Sequence, residues 1–421
     1  MGMFMGMFYN RMDESTQVLY VLAIILFAGF IITRLTKRLH LPNVSGYIIA
    51  GVLIGPGCLK MVPTDILGHM GFISDIALAF IAFGVGKFFK KEVLREAGIR
   101  IIIVTFFEAL AAGILVTVSM RLIFKMDWNF ALLLGAIATA TAPASTMMTI
   151  HQYHAKGDYV NALLQVVALD DVVCLLTFSV VVAVVNARTA GQVAIADVIL
   201  PIITNAGGIL FGFLCGFLLS HLLTPARSKD NRLILAVAML LGLSGICSFF
   251  GLSPLLSCMI FGATYINITD DRKLFKQVNR FTPPVMSIFF IVSGMNLDLN
   301  SIRTAGIIGV CYFAIRIAGK YLGAYAGCLL TSMPRHIRNY MGLALIPQAG
   351  VAIGLAFLGQ RMLPEEMGSL LLTIILSSSV LYELVGPVCA KMSFFLSGTI
   401  SREAVQSVKD YRPEAVSSRV S

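Results

Sequence analysis

The feature that most constrains this chain is the pair Asp170-Asp171. It lies inside a run that is otherwise apolar from Val166 to Val185, apart from Thr177 and Ser179. A stretch of that length and hydrophobicity predicts a helix in a bilayer. A carboxylate near the bilayer centre costs at least ~2.5–3.5 kcal/mol. Two in succession cannot neutralise each other, and neighbours in a helix point about 100° apart, so they face different surroundings. Packing does not account for such a pair; the handling of a cation does.

The rest of the chain fits that setting. Of its 421 residues, 57% are hydrophobic and 13% charged, against about 25% charged in a soluble domain. Apolar segments near 16–34, 43–57, 70–86, 101–123, 129–150, 160–186, 197–223, 233–250, 252–268, 283–297, 304–330, 339–360 and 368–393 predict an all-α polytopic membrane protein of about thirteen spans. Segments 43–57 and 252–268 are short and carry Pro at the start, which predicts tilted, broken or bundle-buried helices. The net charge of +10 is not a nucleic-acid signature, because Lys and Arg cluster in the short connections. Alternate connections hold 23 and 7 of them. By the positive-inside rule this places the N-terminus outside and the C-terminus in the cytoplasm, in a multi-pass protein of the cell (inner, cytoplasmic) membrane.

The eight Cys make no CxxC or Cys/His spacing and read as small buried side chains. Residues 1–15 form a short N-terminal segment without the pattern of a cleavable signal. Residues 16–395 form the transmembrane domain, and 396–421 a polar cytoplasmic tail. No GxGxxG follows a strand, so no nucleotide-binding domain is expected.

The chain also repeats itself. Leu41-Pro42-Asn43-Val44-Ser45-Gly46 recurs as Ser253-Pro254-Leu255-Leu256-Ser257-Cys258, and Thr141-Ala142-Pro143-Ala144 as Ile346-Pro347-Gln348-Ala349-Gly350. An odd number of spans separates the copies, so they have opposite topology. This predicts inverted repeats, roughly 43–186 and 252–393, with paired broken helices near a binding site.

Five further groups are candidates. Pro143 interrupts an apolar span beside Thr141, and Pro347, Gln348 and Gly350 do the same in the second repeat. Arg316 and Lys320, one turn apart in an apolar span, need a counter-ion, and Asp170 or Asp171 is the candidate. Glu108 and Glu383 are the other intramembrane acids, each a proton relay or a structural partner of Arg316. Asp75 falls near the middle of a span, and Asp298 near a membrane interface.

Asp170-Asp171, Thr141-Ala142-Pro143, Gly319-Lys320-Tyr321-Leu322-Gly323, Leu41-Pro42 through Gly55-Pro56, and Phe289-Phe290 through Asp298 occur in an order and spacing that resembles bacterial monovalent cation/proton antiporters. The resemblance is to the second branch of the cation/proton antiporter superfamily, the sodium/proton and Kef-type group. It covers about Val18 to Met392. It implies a homodimer with inverted repeats and two crossing broken helices. It also implies that Asp171 binds the ion, that Asp170 pairs with Lys320, and that exchange is electrogenic. The sequence departs from the pattern at Ala142, where many members carry an acid, at Gly84-Val85-Gly86, and in having Arg316 beside Lys320.

The expected activity is therefore exchange of a monovalent cation, foremost Na+, for protons, with cation and proton competing at the buried Asp pair and Asp171 as the ligand of the transported Na+. A K+/H+ antiporter and a sodium-coupled organic anion symporter are the alternatives of the same architecture. An enzyme is not expected: no HExxH occurs, and the acids do not form an aspartyl-protease pair. A channel would need a filter or pore ring. No cofactor is implied; the partners are cation, proton and lipid bilayer, with no nucleic acid.

Overall fold

The computed structural model describes residues 9, 12–38, 43–142, 146–147, 149–150, 153, 155–189, 195–224, 227–297 and 302–400. Pro143, Asp298, Leu41, Pro42, most of segment 1–15 and the tail from 401 lie outside these residues.

Among the described residues, all regular structure is helical. The order is α1 (Glu14–Arg38), α2 (Asn43–Ile54), α3 (Thr64–His69), α4 (Gly71–Gly86), a 3₁₀ turn at Lys87–Phe89, α5 (Lys91–Leu122), α6 (Trp128–Ala138), α7 (Asp158–Thr189) and α8 (Ile195–Leu222). It continues with α9 (Lys229–Phe249), α10 (Pro254–Thr269), α11 (Arg272–Met295), α12 (Ile302–Leu330), α13 (Arg335–Ala344), α14 (Gly350–Gln360) and α15 (Glu365–Leu396). Every expected apolar segment holds helix. By length and apolarity alone, six helices can cross a membrane, and the bent α15 makes seven. The expected thirteen crossings exceed that number because α2, α6, α10, α14 and the Ala206–Leu222 stretch of α8 are short apolar helices and two segments are interrupted. Local sequence explains the main irregularities. Gly98 kinks α5 at φ +67°, a conformation that favours glycine. The 44° bend of α15 after Tyr382 falls where the ring of Pro387 opposes the carbonyl four residues earlier.

The repeats pack as a two-fold pair. α2 lies against α11 and α10 against α4, while α5 and α12 meet each other directly. These contacts are backbone-close because the interfaces are glycine. A Cβ on Gly51 would strike the Ile291 carbonyl, and one on Gly294 the Ile48 carbonyl; Gly86 and Gly262 repeat this against Met259 and Phe83. Between α5 and α12 the run Gly319, Gly323, Gly327 presses on Ala112, Glu108 and Val104. Small residues at intervals of four are how helices approach closely in a membrane. The consequence for function is that α12 carries its cations directly onto Glu108.

Asp75 lies near the middle of the apolar span Thr64–Phe89, as expected. It sits one turn into α4 and pairs with Arg361 at 2.9 Å, both partly exposed. At the opposite end Lys90 meets Asp270. Their side-chain hydrogen bond raises the Lys90 ammonium above the usual lysine range and lowers Asp270 below the usual carboxylate range, so both stay charged through neutral pH.

Candidate cation site at two crossed helix breaks

Two helices stop inside the bundle. α6 ends at Ala138, and the chain is non-helical from Ala140 to Ala142. α13 ends at Ala344, and α14 begins at Gly350. A helix end leaves its last carbonyls without intrahelical donors, and in an apolar interior each needs a partner. The breaks supply them to each other. The Ala142 amide donates to the Pro347 carbonyl at 2.8 Å. The Thr146 hydroxyl donates to the Ala344 carbonyl at 2.9 Å, and that of Thr141 to the Leu345 carbonyl at 3.4 Å. The Gln348 amide donates to the Ile137 carbonyl at 2.8 Å and accepts from the Tyr312 hydroxyl at 2.9 Å.

The remaining carbonyls are taken by α12. Arg316 donates through Nε to Ala138 at 2.9 Å, through Nη1 to Ile346 at 2.7 Å, and through Nη2 to Ala140. Its guanidinium lies 4.7 Å from the centre of the Tyr382 ring. Lys320 Nζ donates to the Thr139 carbonyl at 2.6 Å. Two cations therefore stand at the negative ends of two helix dipoles.

Lys320 also serves two acids. Its Nζ is 3.1 Å from Asp170 Oδ2 and 2.7 Å from Glu108 Oε2, and all three side chains are fully buried. The Glu108 contact is an ion pair without hydrogen-bond geometry, so both Glu108 oxygens lack a hydrogen-bond donor. Asp171, one residue on, faces elsewhere. Its Oδ1 is buried with no hydrogen-bond partner. It lies on a cavity of about 370 Å³ lined by Thr141 and Ala142 from the first break, Gly350 from the second, and Lys87, Asn279 and Thr282 towards the end that carries Lys90. Among the described residues no three His, Cys, Asp or Glu side chains converge as a metal cluster. A cation here would be held by the Asp171 carboxylate together with hydroxyl and carbonyl oxygens, the ligand type suited to a hard ion.

The structure thus brings Asp170, Lys320, Thr141, Pro347, Gln348 and Gly350 together, with Asp171 beside them. It corrects two expectations. Arg316 has no carboxylate within ion-pair distance among the described side chains; it binds carbonyls instead. Glu108 partners Lys320, not Arg316, because α5 and α12 touch along their glycine face. The Glu383 side chain lies outside the described residues. Sequence reasoning missed Tyr312, Tyr382, Thr139 and Thr146. One signal was present: Tyr312, Arg316 and Lys320 recur every four residues and share one helix face.

A membrane bundle with two crossed, interrupted helices and buried ionisable groups at their crossing is the architecture of a secondary transporter. Comparison with known proteins gives the family. The family described as sodium/hydrogen exchanger, transmembrane, matches residues 21–387, and the chain belongs to it: a multi-pass membrane protein of a transporter family, not of an enzyme family. A Na(+)/H(+) antiporter of Enterococcus hirae is 21% identical over 386 residues, covering 87% of this chain and 96% of that protein. The glutathione-regulated potassium-efflux system protein KefC of Klebsiella pneumoniae is 23% identical over 338 residues, covering 79% of this chain but 54% of KefC. The solved structure of the sodium proton antiporter MjNhaP1 from Methanocaldococcus jannaschii superposes with a TM-score of 0.72 at 19% identity, covering 92% of this chain and all of that one; the likeness establishes the fold.

Proposed function

We propose that the chain is a secondary antiporter that exchanges Na+ for protons across the cell membrane by alternating access, with Asp171 as the shared site. The observation that carries this is the asymmetry of the acid pair. Asp170 is neutralised by Lys320, whereas Asp171 faces a cavity with a buried, unpartnered oxygen. A buried carboxylate without a counter-charge is costly. It is relieved by a cation or by a proton, and one excludes the other. That exclusion couples the two ions: the carrier crosses with Asp171 occupied by either, never bare. Thr141, which lines the same cavity, adds a further oxygen ligand for the cation. Asp170 and Lys320 set the local charge. Arg316, Gln348 and the two breaks hold the frame while one repeat rocks against the other.

The cavity leads from Asp171 to the end bearing Lys87 and Lys90, which the loop-charge asymmetry assigns to the cytoplasm. On that reading the conformation is inward-facing, with the N-terminus outside and the exchanger unit running from 16 to 395. A homodimer accords with the family resemblance and with the apolar face that α8 leaves exposed at Leu210, Phe213, Leu214, Phe217 and Leu218.

The test is proton release from proteoliposomes on addition of Na+, Li+ or K+ in turn. The wild type should respond to Na+ and the Asp171→Asn variant should not, while folding normally. Exchange by that variant at the wild-type rate would remove Asp171 from the site. A response to K+ alone would make the chain a K+/H+ antiporter. Sodium-dependent uptake of an organic anion without proton release would make it a symporter.

A further inference from the structure

The cavity that reaches Asp171 is adjoined by charge of the wrong sign for a cation. A second cavity of about 340 Å³ lies beside it, and Lys87, Phe88 and Asn279 line both. Lys87, Lys90, Arg272 and Lys276 line the second cavity, and no carboxylate does. Lys90 is engaged, at 2.5 Å from Asp270 and 3.5 Å from Glu92. Lys87, Arg272 and Lys276 have no carboxylate within ion-pair distance among the described side chains. A cleft lined by one sign of charge focuses that potential and concentrates ions of the opposite sign. A monovalent cation heading for Asp171 is repelled here.

Orientation in the membrane explains basic residues scattered along loops. It does not explain their convergence on one cavity, which Ile266 and Phe275 also line. Basic pockets between spans on the cytoplasmic side accept phosphate-bearing head groups, and this volume lies in the range of small-ligand sites, about 300–1,000 Å³.

The geometry points to a binding site for a phosphate-bearing anion in this second cavity, held by Lys87, Lys90, Arg272 and Lys276, whose occupancy neutralises its charge and admits the cation to Asp171. The phosphate comes either from the head group of an anionic phospholipid or from a free phosphate-bearing solute. The effect on transport rests on the antiport reading; the binding does not.

The full chain is reconstituted in phosphatidylcholine vesicles, with phosphatidylglycerol added in one arm and inorganic phosphate on the side of the second cavity in another. Apparent KM for Na+ and melting temperature are read in each. In the wild type the anion should lower KM about fivefold, the effect of roughly one basic residue at an anionic surface, and raise the melting temperature. The double variant Arg272→Gln/Lys276→Gln should start from a lower KM in phosphatidylcholine and lose the further shift. Both side chains are exposed, and Lys276→Gln alone serves if the double variant misfolds. A shift with phosphatidylglycerol alone assigns the site to lipid, with phosphate alone to a solute, and with both to the shared group. An equal shift in wild type and variants is general surface potential and overturns the site, as does no shift in the wild type. Absence of exchange in every lipid would defeat the antiport reading instead. The melting shift then decides binding: confined to the wild type it supports the site, and otherwise it overturns it.

Discussion

Glu108 and Lys320 stand 2.7 Å apart with no exposure to solvent, and the same ammonium is 3.1 Å from Asp170. One buried cation thus answers two buried carboxylates, and the removal of each partner strands a different number of charges.

Lys320→Ala should therefore destabilise more than Glu108→Gln. Loss of the lysine leaves two carboxylates unpaired, and breaking even one buried pair costs about 3–5 kcal/mol. Loss of the Glu108 charge leaves Lys320 with Asp170 and the Thr139 carbonyl. Melting temperatures in one detergent test the order; a larger drop for Glu108→Gln would reverse the assignment.

Membrane potential provides a second test. The family resemblance implies electrogenic exchange, in which Lys320 gives up a second proton when the cation binds. The Glu108 contact leaves Lys320 a partner at that moment, which favours one proton per Na+ and no net charge moved. An electrogenic cycle would gain about 2.3 kcal/mol per 100 mV for each charge. Exchange in potential-clamped proteoliposomes should thus ignore the imposed voltage in the wild type and respond to it in Glu108→Gln. Voltage-driven exchange by the wild type would return Lys320 to the proton-carrier role.

Arg316 should be irreplaceable by lysine. Its planar fork reaches three carbonyls from two different breaks, and an ammonium on a shorter stem cannot reproduce that geometry. Hydrogen bonds to a charged group are worth about 1.5–3 kcal/mol each, so Arg316→Lys should cost several kcal/mol. It should abolish exchange with Asp171 intact. A variant that melts and transports like the wild type would show that the breaks hold without the clamp.

The glycine contacts set a fourth expectation. Gly262→Ala drives a methyl into the Phe83 carbonyl, while Gly242→Ala on α9 meets nothing within 4 Å. The first should destabilise by about 1–3 kcal/mol or more, as overpacking does. The second should be neutral or slightly stabilising, within the ~1 kcal/mol by which Ala exceeds Gly in a helix. Thermal melts of both variants in the same lipid check the contrast.

Composition and periodicity were enough to determine an all-helical membrane bundle, because a bilayer requires every backbone polar group to be satisfied within the helix or by a neighbour. Asp170 and Asp171 stood out as site candidates for the same reason: two charges in an apolar run have no cheap structural explanation. The two breaks were legible from Pro347, Gly350 and the matching Thr141 segment. Which cation meets which acid was not. Arg316 and Lys320 lie one turn apart on the same face of α12, and nothing in their spacing says that one reaches carbonyls and the other carboxylates. That was decided by the glycine face of α12, which sets its distance from α5, and by where the carbonyl ends of α6 and α13 fall when the repeats cross. Those are contacts between residues some 180 positions apart, such as Arg316 and Ala138, and only the folded chain brings them within reach.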